Sequence, residues 1–183
     1  MLAEFIRKAI ATNQLEFGEG RMVLLGIRGI VLPASTLVEL LLAVRERMGE
    51  NVWDMLYEVG KKHAEQNIIR AVAKKMSISK ASLLQQFGSS ANVMGLGRWE
   101  FTEYLPEAGR LKVRLYDSAI AEALKKKGFK TRQPVDSFVA GVVAGIGEAA
   151  FDGPVEAKET MCAALGAPYC EFIARPASKK KSK

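Results

Sequence analysis

The two cysteines of this 183-residue chain, Cys162 and Cys170, have the residue type and spacing best suited to chemistry. Each lies four residues from Gly166. If residues 164–168 form the tip of a β-hairpin, the cysteines face each other across its strands, with Cβ atoms roughly 5 Å apart. Two thiols at that distance form a disulfide, share a metal ion, or pack as small apolar groups.

Glu159 lies three residues before Cys162 and is close enough in sequence to supply a third metal ligand. Residues three apart in a regular strand point to opposite faces of a sheet, so a bulge near Thr160 is needed to bring this carboxylate to the thiols. From the residues alone, a bound metal, a reduced and empty hairpin, and a disulfide all remain open.

The composition, with 49% apolar and 26% charged residues, is typical of one globular domain. Four lysines in residues 178–183 contribute to the formal charge of +7, and the roughly +3 that remains without them does not favour nucleic acid as a partner. No uncharged apolar run reaches the length of a membrane span, and the N-terminus lacks the pattern of a secretory signal. The sequence therefore predicts a cytoplasmic protein without membrane insertion, and a reducing cytoplasm disfavours the disulfide.

The order of the predicted elements indicates an α+β fold, in which an antiparallel sheet packs against helices in a single domain. Apolar periodicity predicts helices over residues 1–13, 33–48, 52–76, 79–88, 118–127 and 135–151. Alternating or β-branched stretches predict strands over residues 17–32, 98–104, 110–116, 155–163 and 169–175. Ser79 and Ser118 are the expected N-caps of the helices that follow them.

Several motifs resemble the 4-vinyl-reductase domain family, a group of small ligand-binding domains similar in fold to trafficking-complex subunits. In chain order, they are Leu56-Tyr-Glu-Val-Gly60, the helical pair Gly141 and Gly145, Glu159-Thr-Met-Cys162, and the turn from Gly166 to Cys170. The resemblance implies a ligand-binding domain over residues 20–176. Residues 1–19 would form an N-terminal helix and lead-in, and residues 177–183 a disordered basic tail.

The resemblance also implies a structural zinc site. Sensory members of the family hold zinc through a cysteine at the start of the C-terminal helix, a glutamate, and two hairpin cysteines. In this chain the last three match Glu159, Cys162 and Cys170, whereas the first falls on Asp136. A carboxylate is a normal zinc ligand, although a site with two carboxylates is less thiophilic. Four protein ligands leave no open position for catalysis.

Gly141 and Gly145 lie one helical turn apart, and their missing side chains have two explanations. They allow close packing of the helix against the sheet, or they leave room for a ligand between the two. Trp53, Leu56 and Tyr57, from the long middle helix, would line the same space. The resemblance, more than the residue types, places a hydrophobic pocket here.

The resemblance implies a carrier or sensor for a hydrophobic or aromatic compound, or for a tetrapyrrole. The alternatives are a vinyl reductase or an accessory protein of tetrapyrrole metabolism, and a non-catalytic interaction subunit. The residues favour binding over catalysis, because His63 is the single histidine, no nucleophile–base pair is recognisable, and no nicotinamide or flavin motif is present. The wide apolar face of residues 33–48 predicts a homodimer.

Overall fold

The computed structural model describes residues 15–24, 27–69, 79–92 and 94–177. The elements, in chain order, are β1 (Leu15–Gly18), β2 (Arg21–Leu24), β3 (Ile27–Gly29), α1 (Ala34–Met48), α2 (Asn51–His63), a π-helical turn (Ala64–Ile69), α3 (Lys80–Ala91), β4 (Arg98–Leu105), β5 (Arg110–Tyr116), α4 (Ala119–Lys126), α5 (Ser137–Phe151), β6 (Val155–Met161), a 3-10 turn (Ala163–Leu165) and β7 (Cys170–Pro176). The predicted α+β class with antiparallel sheets is confirmed.

The first three strands form a small antiparallel sheet of their own, in the order β1-β2-β3. The single strand predicted over residues 17–32 is therefore wrong. Gly20, with φ +64°, lies in the turn that reverses the chain between β1 and β2. Residues 30–32 lie outside any strand, and Ile30 and Val31 are 75% and 84% exposed.

The second sheet contains four antiparallel strands in the order β4-β5-β7-β6. The β4–β5 hairpin predicted from the alternation of residues 98–116 is confirmed, with Arg98 paired to Tyr116. Side chains on the inner face of β5, such as Leu111, Val113 and Leu115, are fully buried. The inner face of this sheet carries the main core.

Helix α5 lies between this sheet and α2. Its sequence is apolar on every side because both of its faces are covered. A Cβ on Gly147 would lie 2.8 Å from Val155, on the sheet side, whereas one on Gly141 would lie 1.9 Å from the Tyr57 carbonyl oxygen of α2. The glycines thus allow the backbones of α2 and α5 to touch.

The helix predictions are partly confirmed. Ser118 caps α4, since its Oγ accepts from the Ala121 N–H at 3.1 Å, and Ser79 accepts in the same way from the Ser82 N–H at 3.2 Å. The predicted continuous helix 52–76 is different, because the α-helix ends at His63 and a π-helical turn follows. The predicted helix 1–13, residues 70–76 and the tail 178–183 lie outside the described residues.

Candidate functional site

A β-bulge at Thr160 sets the geometry of the cysteine hairpin. Glu159 pairs with Phe172, and the next pair is Met161 with Glu171, so that the register shifts by one residue between them. Glu159 therefore lies on the inner face of the sheet, and Cys162 returns to that face one step after the bulge. This bulge was the condition that the sequence set for bringing the glutamate to the cysteines.

The hairpin brings three metal-binding side chains together. One carboxylate oxygen of Glu159 and the sulfur atoms of Cys162 and Cys170 all lie within 4.8 Å of one another. Both cysteines are buried free thiols, so the disulfide alternative is not what the structure contains. The Ala163 N–H points at Cys170 Sγ over 3.3 Å, which fixes this sulfur against the 3-10 turn.

Asp136 joins the cluster from the start of α5. Its Oδ2 accepts from Cys170 Sγ at 3.1 Å and from Ser118 Oγ at 2.7 Å, and its backbone N–H donates to Glu159 Oε2 at 2.9 Å. The side chain is fully buried and does not cap its own helix. The structure thus brings all four predicted metal ligands to one place.

Two carboxylate oxygens of the cluster are left without a partner. Asp136 Oδ1 and Glu159 Oε1 are buried, and neither has a hydrogen-bond partner among the described residues. Within the same part of the chain, no ion pair links a lysine or arginine to the cluster. Buried acidic groups without donors or counter-charges are costly, so the arrangement fits a bound cation.

The pKa values show what the cluster does without a cation. Burial raises the pKa of Asp136 to about 6, and burial together with the neighbouring Asp136 raises the pKa of Glu159 to about 9. Hydrogen bonding by the Cys170 thiol lowers the pKa of Cys162 to about 5, while the pKa of Cys170 itself rises. At neutral pH, Glu159 keeps its proton because a thiolate and a second carboxylate already share the site.

The residues predicted to line a ligand pocket lie at separate places along α2 and α5. The Trp53 indole donates to Glu50 Oε2 at 2.9 Å, at the start of α2. Leu56 packs, partly buried, against the core. A Cβ on Gly145 would lie 2.7 Å from the Ala64 Cβ, so this glycine, like Gly141, contacts α2 rather than open space beside the sheet. The ligand-binding role of these residues stays a prediction.

Tyr57 contributes to the covering of the free edge of β6. Its hydroxyl accepts from the Ala157 N–H at 3.0 Å. Nearby, Lys61 Nζ donates to the Val155 carbonyl at 3.2 Å and pairs with Glu148 at 2.9 Å, and Glu148 accepts from the Val155 N–H at 3.3 Å. Side chains of α2 and α5 thus occupy backbone groups that an edge strand otherwise exposes.

Comparison with known families identifies the part of the chain that holds this cluster. Residues 111–176 match the model of the 4-vinyl-reductase domain, and this stretch runs from β5 through α5 to the end of the cysteine hairpin. The chain carries a 4-vinyl-reductase domain. The family resemblance drawn from the cysteine hairpin is confirmed over these residues. Among curated proteins, no sequence match was found.

Solved structures resemble the whole fold around the 4-vinyl-reductase domain. The phenol-responsive sensory domain of the transcription activator PoxR, determined with phenol, is 19% identical with a TM-score of 0.79, over 96% of this chain and 92% of that one. A trafficking protein particle complex subunit 3 from Naegleria fowleri, covalently bound to palmitic acid, is 16% identical with a TM-score of 0.54, over 79% and 95%. A vinyl-4-reductase family protein from Methanocaldococcus jannaschii is 18% identical with a TM-score of 0.52, over 82% and 83%. At these identities the likeness shows the fold.

The sequence missed several polar residues that support the 4-vinyl-reductase domain. Ser118 was expected only as a cap, yet it also donates to Asp136. Lys61 and Glu148 belong to elements far apart in sequence, and no local pattern indicates that they meet at β6. In the described part of the chain, no helix is both long and apolar enough to cross a membrane.

Proposed function

We propose that the chain is a small-molecule-binding domain that acts as a sensor or carrier for a hydrophobic or aromatic compound. The observation that supports this most is the likeness to the phenol-responsive sensory domain of PoxR, which extends over nearly the whole of both chains. The match of residues 111–176 to the 4-vinyl-reductase domain adds independent support from sequence. A tetrapyrrole is the second ligand class, suggested by the family name alone.

Native mass spectrometry and the absorption spectrum of the purified protein test this proposal. We expect either a co-purified hydrophobic compound or saturable binding of phenol, measured by calorimetry. A visible absorption band would instead indicate a tetrapyrrole. Protein that carries no small molecule and binds neither phenol nor a porphyrin would contradict the proposal.

We further propose that Asp136, Glu159, Cys162 and Cys170 hold one structural zinc ion. The support is the set of three ligand atoms within 4.8 Å and the two buried carboxylate oxygens without partners. Thiolate and carboxylate together suit zinc, and a site closed by four protein ligands serves folding rather than chemistry. Bound zinc would stabilise the ionised forms of all four groups at once.

Elemental analysis of protein purified without added metal tests the zinc site. We expect about one equivalent per chain, which Cys170→Ala and Glu159→Gln each reduce strongly. The matched control is Glu171→Gln, because Glu171 is also buried in the hairpin but pairs with Arg114 at 3.1 Å, away from the cluster. Metal-free wild type with two freely titratable thiols would end the zinc proposal.

A homodimer and a cytoplasmic location complete the proposal. Support for the dimer comes from the apolar side chains that the N-terminal part leaves exposed: Phe17, Ile30, Val31, Leu32, Leu37 and Leu40. An apolar surface of this kind is typical of an interface. Support for the cytoplasm comes from the reduced state of both cysteines.

A further inference from the structure

A cleft of about 290 Å³ lies where the end of α1, the start of α2 and the loop after α4 meet. Its walls combine aromatic rings with cations and with the carboxylate of one acidic residue. Its lining includes Arg45, Glu50, Trp53, Phe129, Arg132 and Gln133. The volume is close to the lower end of the roughly 300–1,000 Å³ of ligand pockets, so a ligand here must be small.

The Glu50 carboxylate occupies a cradle of three donors in this cleft. Its Oε2 accepts from the Trp53 indole at 2.9 Å and from the Gln133 side-chain amide, and its Oε1 pairs with the Arg45 guanidinium. The three donors come from α1, α2 and the loop, so the fold assembles them around one carboxylate. These contacts lower the pKa of Glu50, with the indole contributing most.

Glu50 does not neutralise the cations around it. Three basic residues line the cleft against this single carboxylate. Lys130 and Arg132 are exposed and form no ion pair within the described residues, and Arg45 Nε is buried without a hydrogen-bond partner. The Arg45 guanidinium lies 5.2 Å from the centre of the Phe129 ring, so cation and aromatic wall are adjacent.

We propose that this cleft binds a small aromatic carboxylate, whose carboxylate replaces that of Glu50 between Arg45, Trp53 and Gln133. The Glu50 side chain is 59% exposed, so it can turn into solvent and leave the three donors to the ligand. The ring of the ligand then packs against Phe129, and Lys130 and Arg132 attract the anion. This site goes beyond the proposed function, because it shares no residue with the zinc cluster and selects for charge.

Benzoate and its neutral isostere benzamide are the probes that test this site. The chain has two tryptophans, and Trp99 is buried between β4 and α3, so fluorescence that changes in wild type but not in Trp53→Phe reports the cleft. We expect saturable binding of benzoate that weakens with salt, and benzamide binding at least about tenfold weaker, since the charge accounts for the cradle. Equal binding of the two probes, or no saturable response to benzoate, would overturn the proposal.

Three variants separate the cradle from general charge effects. Glu50→Gln removes the internal competitor and should tighten benzoate binding about tenfold. Arg45→Met should weaken it at least as much, whereas Arg47→Met, on an exposed part of the same helix, should leave it within about twofold. Saturation-transfer NMR on benzoate gives a second readout, and melting temperatures verify folding. Unchanged affinity in Glu50→Gln, or equal effects of the two arginine variants, would show that the cradle is not the binding site.

Discussion

The N-terminal part of the molecule and the cysteine hairpin are incomplete in opposite ways. Strands β1–β3 and helix α1 leave large apolar side chains in solvent, with Val31 and Ile30 the most exposed. The hairpin buries acidic groups, and two of its carboxylate oxygens lack partners among the described residues. One region lacks a cover for apolar surface, and the other lacks a cation for buried charge.

This difference shows that each region requires a different kind of partner. Exposed apolar surface is removed from water by another protein surface, and the gain scales with buried area. A buried cluster of acidic groups is too small for a protein and is stabilised by a metal ion. A second copy of the chain and one zinc ion would satisfy the two requirements, and the following changes test each region against the other.

The largest effect is expected where α5 touches α2. A Cβ at Gly141 would lie 1.9 Å from the Tyr57 carbonyl oxygen, so Gly141→Ala must push the two helices apart and should lower the free energy of unfolding by about 3 kcal/mol. The control is Gly18→Ala in β1, where no atom lies within 4 Å of the added Cβ. Chemical denaturation measures both. Equal effects would mean that the two regions do not differ in packing.

The next effect is the pH dependence of zinc binding. The raised pKa values of Glu159, about 9, and Asp136, about 6, mean that protons must leave these groups when zinc binds. Apparent zinc affinity should therefore rise at least about tenfold per pH unit between pH 6 and 8. Competition with a chelator of known affinity measures it. A flat profile would mean that Glu159 is not a ligand.

The metal-free protein should show little pH dependence of stability over the same range. Glu159 has a raised pKa when folded, so its contribution to stability is present at acid pH and is lost as the pH rises towards 9. Cys162 has a lowered pKa, so its contribution grows as the pH rises above about 5. The two changes oppose each other. Melting temperatures of chelator-treated protein provide this control.

A smaller effect is expected at the apolar N-terminal surface. Leu40 is 56% exposed on α1, and Leu40→Glu should weaken self-association about tenfold or more, because a charge at an interface is desolvated without a partner. Leu105→Glu, at a position 46% exposed in the β4–β5 hairpin, is the matched control. Analytical ultracentrifugation over a concentration series reports both. Wild type that stays monomeric near 20 kDa would refute the dimer.

The smallest effect is expected at the edge of β6. Tyr57→Phe removes the hydroxyl that accepts from the Ala157 N–H and should cost about 1 kcal/mol of stability. Tyr104→Phe is the comparison, since the Tyr104 hydroxyl is 3.4 Å from the Ala150 carbonyl and its loss should matter less. Denaturation of the two variants decides whether this edge contact stabilises the hairpin region.

Local patterns predicted those features that a few neighbouring residues determine. The alternation in residues 98–116 predicted a hairpin, and the spacing of Glu159, Cys162 and Cys170 predicted a cysteine hairpin with a bulge, because strand geometry follows from residue count. The three-stranded sheet was missed because the apolar run of residues 22–32 hid its turns.

Features made by distant segments were not predictable in the same way. Gly141 and Gly145 show that a neighbour comes close, but they do not show whether it is the sheet or α2. The cradle around Glu50 joins residues up to 83 positions apart, and none of them forms a motif. The grouping of Asp136 with the hairpin was expected only through the family resemblance, because the start of α5 and the strands are distant in sequence.

The bulge at Thr160 has a consequence for how this site can change over evolution. Glu159 and Cys162 share a face because an extra residue stands between them, so the number of residues matters more than which residues they are. Substitutions at positions 160 and 161 are compatible with the geometry, whereas deletion of one residue restores a regular strand and turns Glu159 to the opposite face. The site therefore tolerates changes of residue type in this strand and is sensitive to changes of its length.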